Sequence, residues 1–172
     1  MDLPRLHSLW IAGRNSTQSG KDGKMKKLVM AAVVMMAAVV SMLAADPVWN
    51  NDMTKALAQA KETKRPVMLV ISGSDWCPPC MALEKNVLSD KKFQKFAAEN
   101  LILVQADFPR KKKQAEAVAK LAKAAKAQYA PNDGFPTVVL IGADGKAIGK
   151  QVGYSGVNAE KYIEQLKGTL KK

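Results

Sequence analysis

Cys77 and Cys80 are the only two cysteines of the 172-residue chain, and two prolines separate them. The one histidine, His7, stands near the N-terminus, and if residues 1–45 are removed in the cell, no histidine is left for a Ser-His or Cys-His hydrolase. Two cysteines are also fewer than the four ligands that structural zinc or an iron–sulfur cluster usually takes. The pattern therefore favours redox chemistry of the cysteine pair itself, with no metal and no cofactor beyond a redox-active disulfide.

The motif Trp76-Cys77-Pro78-Pro79-Cys80 follows a predicted buried strand and opens a predicted helix. In the first turn of a helix, the sulfur of Cys77 faces unpaired backbone N–H groups and the positive end of the helix dipole. Both favour the thiolate, which is the form that attacks a disulfide. Cys80 lies one turn further along the same face, where it can release the product. We therefore predict that Cys77 is the nucleophile and Cys80 the resolving cysteine.

The remainder of the chain predicts the elements that must position this motif. Uninterrupted apolar runs at 67–71, 101–104 and 137–141 are typical of strands buried on both faces of a sheet. A hairpin turn at 143–146 leads into a fourth strand at 147–153. Helical patterns precede and follow these strands, including a Lys- and Ala-rich segment at 111–129 whose predicted inner face comprises Val118, Leu121, Ala122, Ala125 and Tyr129. The order predicts an α/β domain with a central mixed sheet of about four strands flanked by helices.

The N-terminal part of the sequence has the composition of an export signal. Lys26-Lys27 precede an apolar run at 28–43, and the small residues Ala44-Ala45 follow. We predict a signal peptide at 25–45, a folded domain at 46–172, and an exported, periplasmic or otherwise extracytoplasmic protein. The alternative is that 28–45 stays in the membrane as a tether. Residues 1–24 are interpreted as a disordered extension or a wrongly assigned start.

The chain is basic, with a formal charge of +12, of which the predicted domain 46–172 carries +8. A cluster of four cations, Arg110 to Lys113, opens the basic segment. We interpret this cluster as a solvated face, with docking to an acidic partner or anionic lipid as the alternative. The charge is not concentrated in an arm that would suggest nucleic-acid binding, and we predict none.

A second element, Phe135-Pro136-Thr137, places an X-Pro pair directly before a predicted strand. Together with the cysteine motif, it makes residues 48–171 resemble the thioredoxin superfamily. Within it, the sequence is similar to exported bacterial thioredoxin-like proteins such as the C-terminal domain of DsbD and the DsbH-like reductases. The resemblance implies a thioredoxin fold, from which the long basic segment at 111–129 departs as an enlargement of the central helical crossover. It also implies a cis Pro136 beside the cysteines and substrate pairing along the Phe135 backbone. Because Trp76 stands next to the cysteine pair, we interpret it as a platform that shields the pair, with core packing as the alternative.

The sequence departs from this family where thioredoxin carries a buried Asp six residues before the first cysteine. That position is Ile71 here, so another group must accept the proton of Cys80. Glu84 matches an acidic position of the DsbD domain and lies one turn beyond Cys80. We predict that Glu84 or a water takes this proton.

These features predict a thiol–disulfide oxidoreductase. Strong oxidants of this fold place a histidine between the cysteines, whereas Pro78 and Pro79 supply neither charge nor N–H, which favours a reductase. The expected partners are disulfides of exported proteins and a membrane thiol electron donor, with the protein acting as a monomer. Two alternatives stay open: a Cu(I) carrier using the same cysteines, and a peptide-binding module without turnover.

Overall fold

The structure, a computed structural model, describes residues 47–171. Its strands are β1 (Trp49–Asn50), β2 (Val67–Ser72), β3 (Ile102–Asp107), β4 (Thr137–Ile141) and β5 (Ala147–Val152). Its helices are α1 (Met53–Thr63), α2 (Pro78–Leu83), α3 (Lys91–Asn100), α4 (Glu116–Tyr129) and α5 (Ala159–Leu170), with a π-helical turn at Glu84–Leu88 continuing α2. The predicted extension 1–24 and signal peptide 25–45 lie outside the described residues.

Within the described residues, the sheet has five strands in the order β1-β3-β2-β4-β5. Strands β1, β3 and β2 are parallel, β4 runs antiparallel to β2, and β5 runs antiparallel to β4. The mixed sheet and its four longer strands are as predicted. The strand β1 was not predicted, because it is only two residues long and exists through its pairing with Leu103 and Val104.

Two apolar layers cover the two faces of the sheet. Side chains of β2 alternate between them, and every residue of this strand is buried. On one face, α3, α5 and the π-helical turn contribute the larger buried side chains, namely Val87, Leu88, Phe93, Phe96, Tyr162 and Leu166. On the other, α1 and α4 contribute alanines, namely Ala56, Ala60, Ala122 and Ala125. Small side chains let these two helices approach the sheet closely.

The basic segment predicted as a helix over 111–129 is helical only from Glu116 to Tyr129. Residues 110–112 instead donate their backbone N–H groups to Asp75, which holds them outside the helix. The prediction that Leu121 faces inward is also wrong, since this side chain is 36% exposed. The helix contacts the sheet through Ala122 and Ala125, which turns Leu121 toward solvent.

The strand register brings three chain segments to one edge of the sheet. Ser72, the last residue of β2, lies opposite Asp107, the last residue of β3. Ile71 lies opposite Thr137, the first residue of β4. The segments that follow β2 and β3 and the segment that precedes β4 therefore converge at this edge. Among residues 47–171, no helix combines the length and apolarity needed to cross a membrane.

Candidate active site

A disulfide joins Cys77 and Cys80 at the start of α2, with a Cα–Cα distance of 5.2 Å. Cys77 is the N-cap residue in extended conformation, and its N–H donates to the Gly73 carbonyl at 3.0 Å. The Gly73 N–H donates in return to the Cys80 sulfur at 3.5 Å. Both cysteines are only 4% exposed. The turn that follows β2 thus holds the disulfide just beneath the surface.

Pro79 removes one of the two hydrogen-bond donors that a helix start would offer to the side chain of Cys77. The side chain of an N-cap residue normally accepts from the second or third helical N–H. Pro78 and Pro79 occupy the first two helical positions and have no N–H, and the sulfur of Cys77 receives no capping bond. The Met81 N–H already donates to the Cys77 carbonyl at 3.1 Å. Only the N–H of Cys80 is left to cap a Cys77 thiolate.

Trp76 links the cysteine turn to the other two segments at this edge. Its indole N–H donates to the Phe108 carbonyl at 2.7 Å, and its ring meets Phe135 edge-on with centroids 5.4 Å apart. Phe108 and Phe135 contact each other at the same centroid distance. An aromatic pair of this kind stabilises by about 0.5–1.5 kcal/mol beyond its area burial. The three rings fix the position of Trp76 one residue before Cys77.

The Phe135–Pro136 peptide bond is cis. Lys126, in the last turn of α4, braces the loop before it by donating to the carbonyls of Ala130, Pro131 and Asp133 at 2.9, 3.2 and 3.0 Å. These hydrogen bonds hold the start of β4 in place, which the lysine-rich composition of the segment did not predict.

Asp75 is a further residue of this site that the sequence analysis did not single out. Its carboxylate accepts the backbone N–H groups of Arg110, Lys111 and Lys112 at 2.9, 2.7 and 2.8 Å. These bonds, the one from Arg110 foremost, hold the pKa of Asp75 below its usual value. Asp75 therefore fastens the segment after β3 to the cysteine turn.

The same segment places a cation on the tryptophan. The guanidinium carbon of Arg110 lies 3.6 Å from the centroid of the Trp76 ring. A cation over an indole face at an exposed site contributes about 0.5–1 kcal/mol. A second contact joins the cysteine turn to the end of β3. Ser74 donates its N–H and its hydroxyl to the Asp107 carboxylate at 2.9 and 2.6 Å.

Cys80 borders an open cavity of about 540 Å³ on the other side of the motif. Ser72, Gln105 and Glu84 are among the polar residues that line it. Glu84 is exposed, and its carboxylate accepts the Ser89 hydroxyl at 3.1 Å. Ile71, at the position of the missing Asp, is fully buried among apolar side chains. Cys80 and Glu84 thus line the same open cavity, whereas the Ile71 position offers no proton acceptor.

Two cysteines that form and break a disulfide at a helix start can exchange two electrons with another disulfide. No group of three or more His, Cys, Asp or Glu side chains within residues 47–171 is arranged to hold a metal ion.

Comparison with known proteins identifies relatives of this chain. A family model described as thioredoxin-like matches residues 48–143. The disulfide bond reductase DsbH of Chlamydia pneumoniae is 34% identical over 128 residues, which cover 74% of this chain and 75% of that protein. The thioredoxin-related protein DsbJ of the same organism is 30% identical over 101 residues, and the match spans only 29% of its length.

A solved structure described as a DsbH oxidoreductase superposes with a TM-score of 0.68. It is 29% identical in sequence, and the match covers 93% of this chain and 95% of that one. The five-stranded mixed sheet with helices on both faces is therefore a thioredoxin-like fold.

Proposed function

The chain belongs to the thioredoxin-like family and is a thiol–disulfide oxidoreductase, and within this class we propose that it is a reductase of disulfides in exported proteins. The observation that carries the proposal is the Cys77–Cys80 disulfide at the start of α2, next to a tryptophan that contacts the cis Phe135–Pro136 segment. The similarity to a disulfide bond reductase supports the same direction of electron flow.

In the proposed reaction, the reduced protein supplies two electrons. The Cys77 thiolate attacks one sulfur of the substrate disulfide, which forms a mixed disulfide and releases the other substrate sulfur as a thiolate. Cys80 then loses its proton and attacks the Cys77 sulfur. This step forms the Cys77–Cys80 disulfide and releases the second substrate thiolate. The substrate is reduced, the protein is oxidised, and the cysteine pair serves as the only redox group.

Substrate is proposed to bind where Trp76, Phe135 and Pro136 meet. The backbone of Phe135 would pair with an extended substrate segment as an added strand. The contact between the Trp76 and Phe135 rings supports this arrangement, because it brings the pairing segment next to the residue that precedes Cys77.

Glu84 is proposed to accept the proton of Cys80, directly or through a water. Its support is the cavity that both residues line. An exposed carboxylate in contact with solvent can pass the proton on, which the buried Ile71 cannot do.

The prolines between the cysteines support the reductase direction. A capped thiolate stabilises the reduced protein and makes its disulfide more oxidising. Because Pro78 and Pro79 provide no N–H to the Cys77 sulfur, the reduced state gains less stabilisation and the protein gives up its electrons more readily.

The protein is further proposed to be exported by residues 25–45 and to act as a monomer outside the cytoplasm. The lone cysteine pair is consistent with an oxidising compartment, where its oxidised form must be reduced again. A membrane protein with an exposed thiol pair is the proposed electron donor.

Insulin reduction with dithiothreitol tests the proposed activity. We expect turnover in the wild-type protein and none in Cys77→Ser. Cys80→Ser retains the nucleophile, and we expect it to accumulate a mixed disulfide with substrate. A protein that binds Cu(I) tightly through both thiols but does not reduce insulin would instead be a copper carrier.

A further inference from the structure

We propose that the basic rim, defined as Arg110, Lys111, Lys112 and Lys113, is a docking surface for acidic residues that flank the target disulfide in a substrate protein. The inference rests on the proposed function, because it assigns a substrate preference to the same site. Three observations support it: how the rim is held, where it lies, and how its charge is balanced.

The rim is fixed although its side chains are exposed. Asp75 accepts three consecutive backbone N–H groups from Arg110, Lys111 and Lys112. The backbone of these residues is thus ordered before any partner arrives, while all four residues of the rim are exposed. A prearranged surface loses less conformational entropy on binding than a mobile loop does.

The rim adjoins the proposed substrate groove through Trp76. The Arg110 guanidinium lies over the face of this ring, and Phe135 meets the same ring edge-on. A substrate segment paired with the Phe135 backbone would therefore have its neighbouring residues close to Arg110. Acidic residues beside the substrate cysteine would enter the field of the rim.

Within the described part of the chain, no side chain of the rim forms an ion pair with a carboxylate. The ion pairs there join Lys92 to Glu160, Lys146 to Asp144, Lys150 to Asp133 and Lys161 to Glu164, none of which belongs to the rim. The carboxylate of Asp75 is used by backbone N–H groups instead. Four neighbouring cations are thus available to an external anionic partner.

An acidic peptide fits this surface better than a lipid headgroup does. Binding to a membrane surface usually combines cations with apolar side chains that enter the bilayer. The rim consists of cations alone, and the exposed large apolar side chains of the described chain stand at other positions, namely Val48, Met81, Leu121, Ile148 and Val152.

The test uses three disulfide-linked peptides that differ only in the residues beside the cysteine, which are Glu, Gln or Lys. We expect reduced wild-type protein to react about tenfold faster with the Glu peptide than with the Lys peptide at low salt, and nearly equally at high salt. In Lys111→Gln/Lys112→Gln/Lys113→Gln, which keeps the backbone N–H groups that Asp75 binds, we expect the preference to fall to about twofold. Adding Arg110→Gln to this triple variant is expected to reduce the preference for the Glu peptide further.

The matched control removes three lysines from the opposite end of the sheet. Lys64 lines a cavity there with Pro66, which precedes β2, and Gly142, which follows β4. The variant Lys61→Gln/Lys64→Gln/Lys171→Gln changes the net charge by the same amount. We expect it to keep most of the preference. An equal loss in both triple variants would show that net charge alone acts and would overturn the proposal.

Direct binding separates this inference from the activity itself. Serine-containing versions of the peptides cannot react, and their affinity is measured by fluorescence polarisation with the full chain. Tighter binding of the Glu peptide, weakened by the rim variant, supports the docking surface even where no peptide is reduced. Equal binding of all three peptides overturns it. If the protein then also sediments with anionic vesicles in a rim-dependent way, the rim binds a membrane surface instead. Reduction of the Gln peptide reports on the proposed function alone.

Discussion

Replacing Pro79 with alanine restores one hydrogen-bond donor at the start of α2. Pro79 is the second helical residue, and the N-cap side chain of Cys77 receives no capping bond in the structure. The second N–H of a helix is one of the two donors that reach an N-cap side chain. Pro79→Ala should therefore stabilise the Cys77 thiolate, and with it the reduced protein.

The size of the effect follows from the energy of a hydrogen bond to a charged group, about 1.5–3 kcal/mol. This range corresponds to a fall of about 1–2 units in the pKa of Cys77. It also corresponds to a rise of about 30–60 mV in the reduction potential. The potential is measured at a pH at which the Cys77 thiol is ionised in both the wild-type protein and Pro79→Ala. Ultraviolet absorbance of the thiolate during a pH titration measures the pKa, and equilibration with a thiol–disulfide buffer measures the potential.

Pro78→Ala is the matched control. It removes the other proline, but the first helical N–H does not serve as a cap donor to the N-cap side chain. We expect less than a third of the change seen in Pro79→Ala. Equal shifts in the two variants, or a lower potential in Pro79→Ala, would refute the argument that the prolines act by withholding a donor from Cys77.

Three further predictions concern the neighbours of the cysteine pair. A Cβ on Gly73 would lie 2.4 Å from the Trp76 ring, so Gly73→Ala should displace this ring, cost about 1–3 kcal/mol of unfolding free energy in denaturant titrations, and slow insulin reduction. Glu84→Gln should slow the release of product from the mixed disulfide about tenfold in stopped-flow measurements, with recovery at high pH. The pKa of Asp75 is lowered in the folded protein, so its contacts with the rim backbone should be fully present above pH 3.8, the usual pKa of this carboxyl. They should be lost as the pH falls through the lower folded-state pKa. Amide chemical shifts of the rim follow this loss.

Each of these three predictions has a control variant. Gly168→Ala meets open space within α5 and should not destabilise the protein. Glu99→Gln changes an acidic residue of α3 outside the cavity beside Cys80 and should leave product release unchanged. In Asp75→Asn the rim amides should show no titration near the carboxylate pKa. If Gly73→Ala or Glu84→Gln behaved like its control, the role assigned to Gly73 or Glu84 would be wrong. If the rim amides of the wild-type protein titrated no more than those of Asp75→Asn, the role assigned to Asp75 would be wrong.

The elements that could be predicted from the sequence are those with a local signal. The buried strands appear as uninterrupted apolar runs, and β2 is buried along its whole length as its composition suggests. Asp52 and Asp90 cap α1 and α3, and Asp is a residue type that favours the N-cap position. The cysteine motif and the Phe135–Pro136 pair were recognisable from residue type and spacing alone.

The features that escaped prediction depend on contacts between distant parts of the chain. Nothing near Arg110 indicates that a carboxylate 35 residues earlier binds its backbone N–H. The outward turn of Leu121 follows from how closely the alanines of α4 approach the sheet, which helical periodicity does not encode. The two residues of β1 are too few for a strand pattern and become one only beside β3.

A redox titration of the wild-type Cys77–Cys80 pair tests the proposed function most directly. We expect a single two-electron transition near the potential of thioredoxin, about −270 mV. A potential near that of DsbA, about −120 mV, would make the protein an oxidant and contradict the proposed direction of electron flow. The absence of any reversible transition would contradict the exchange chemistry altogether.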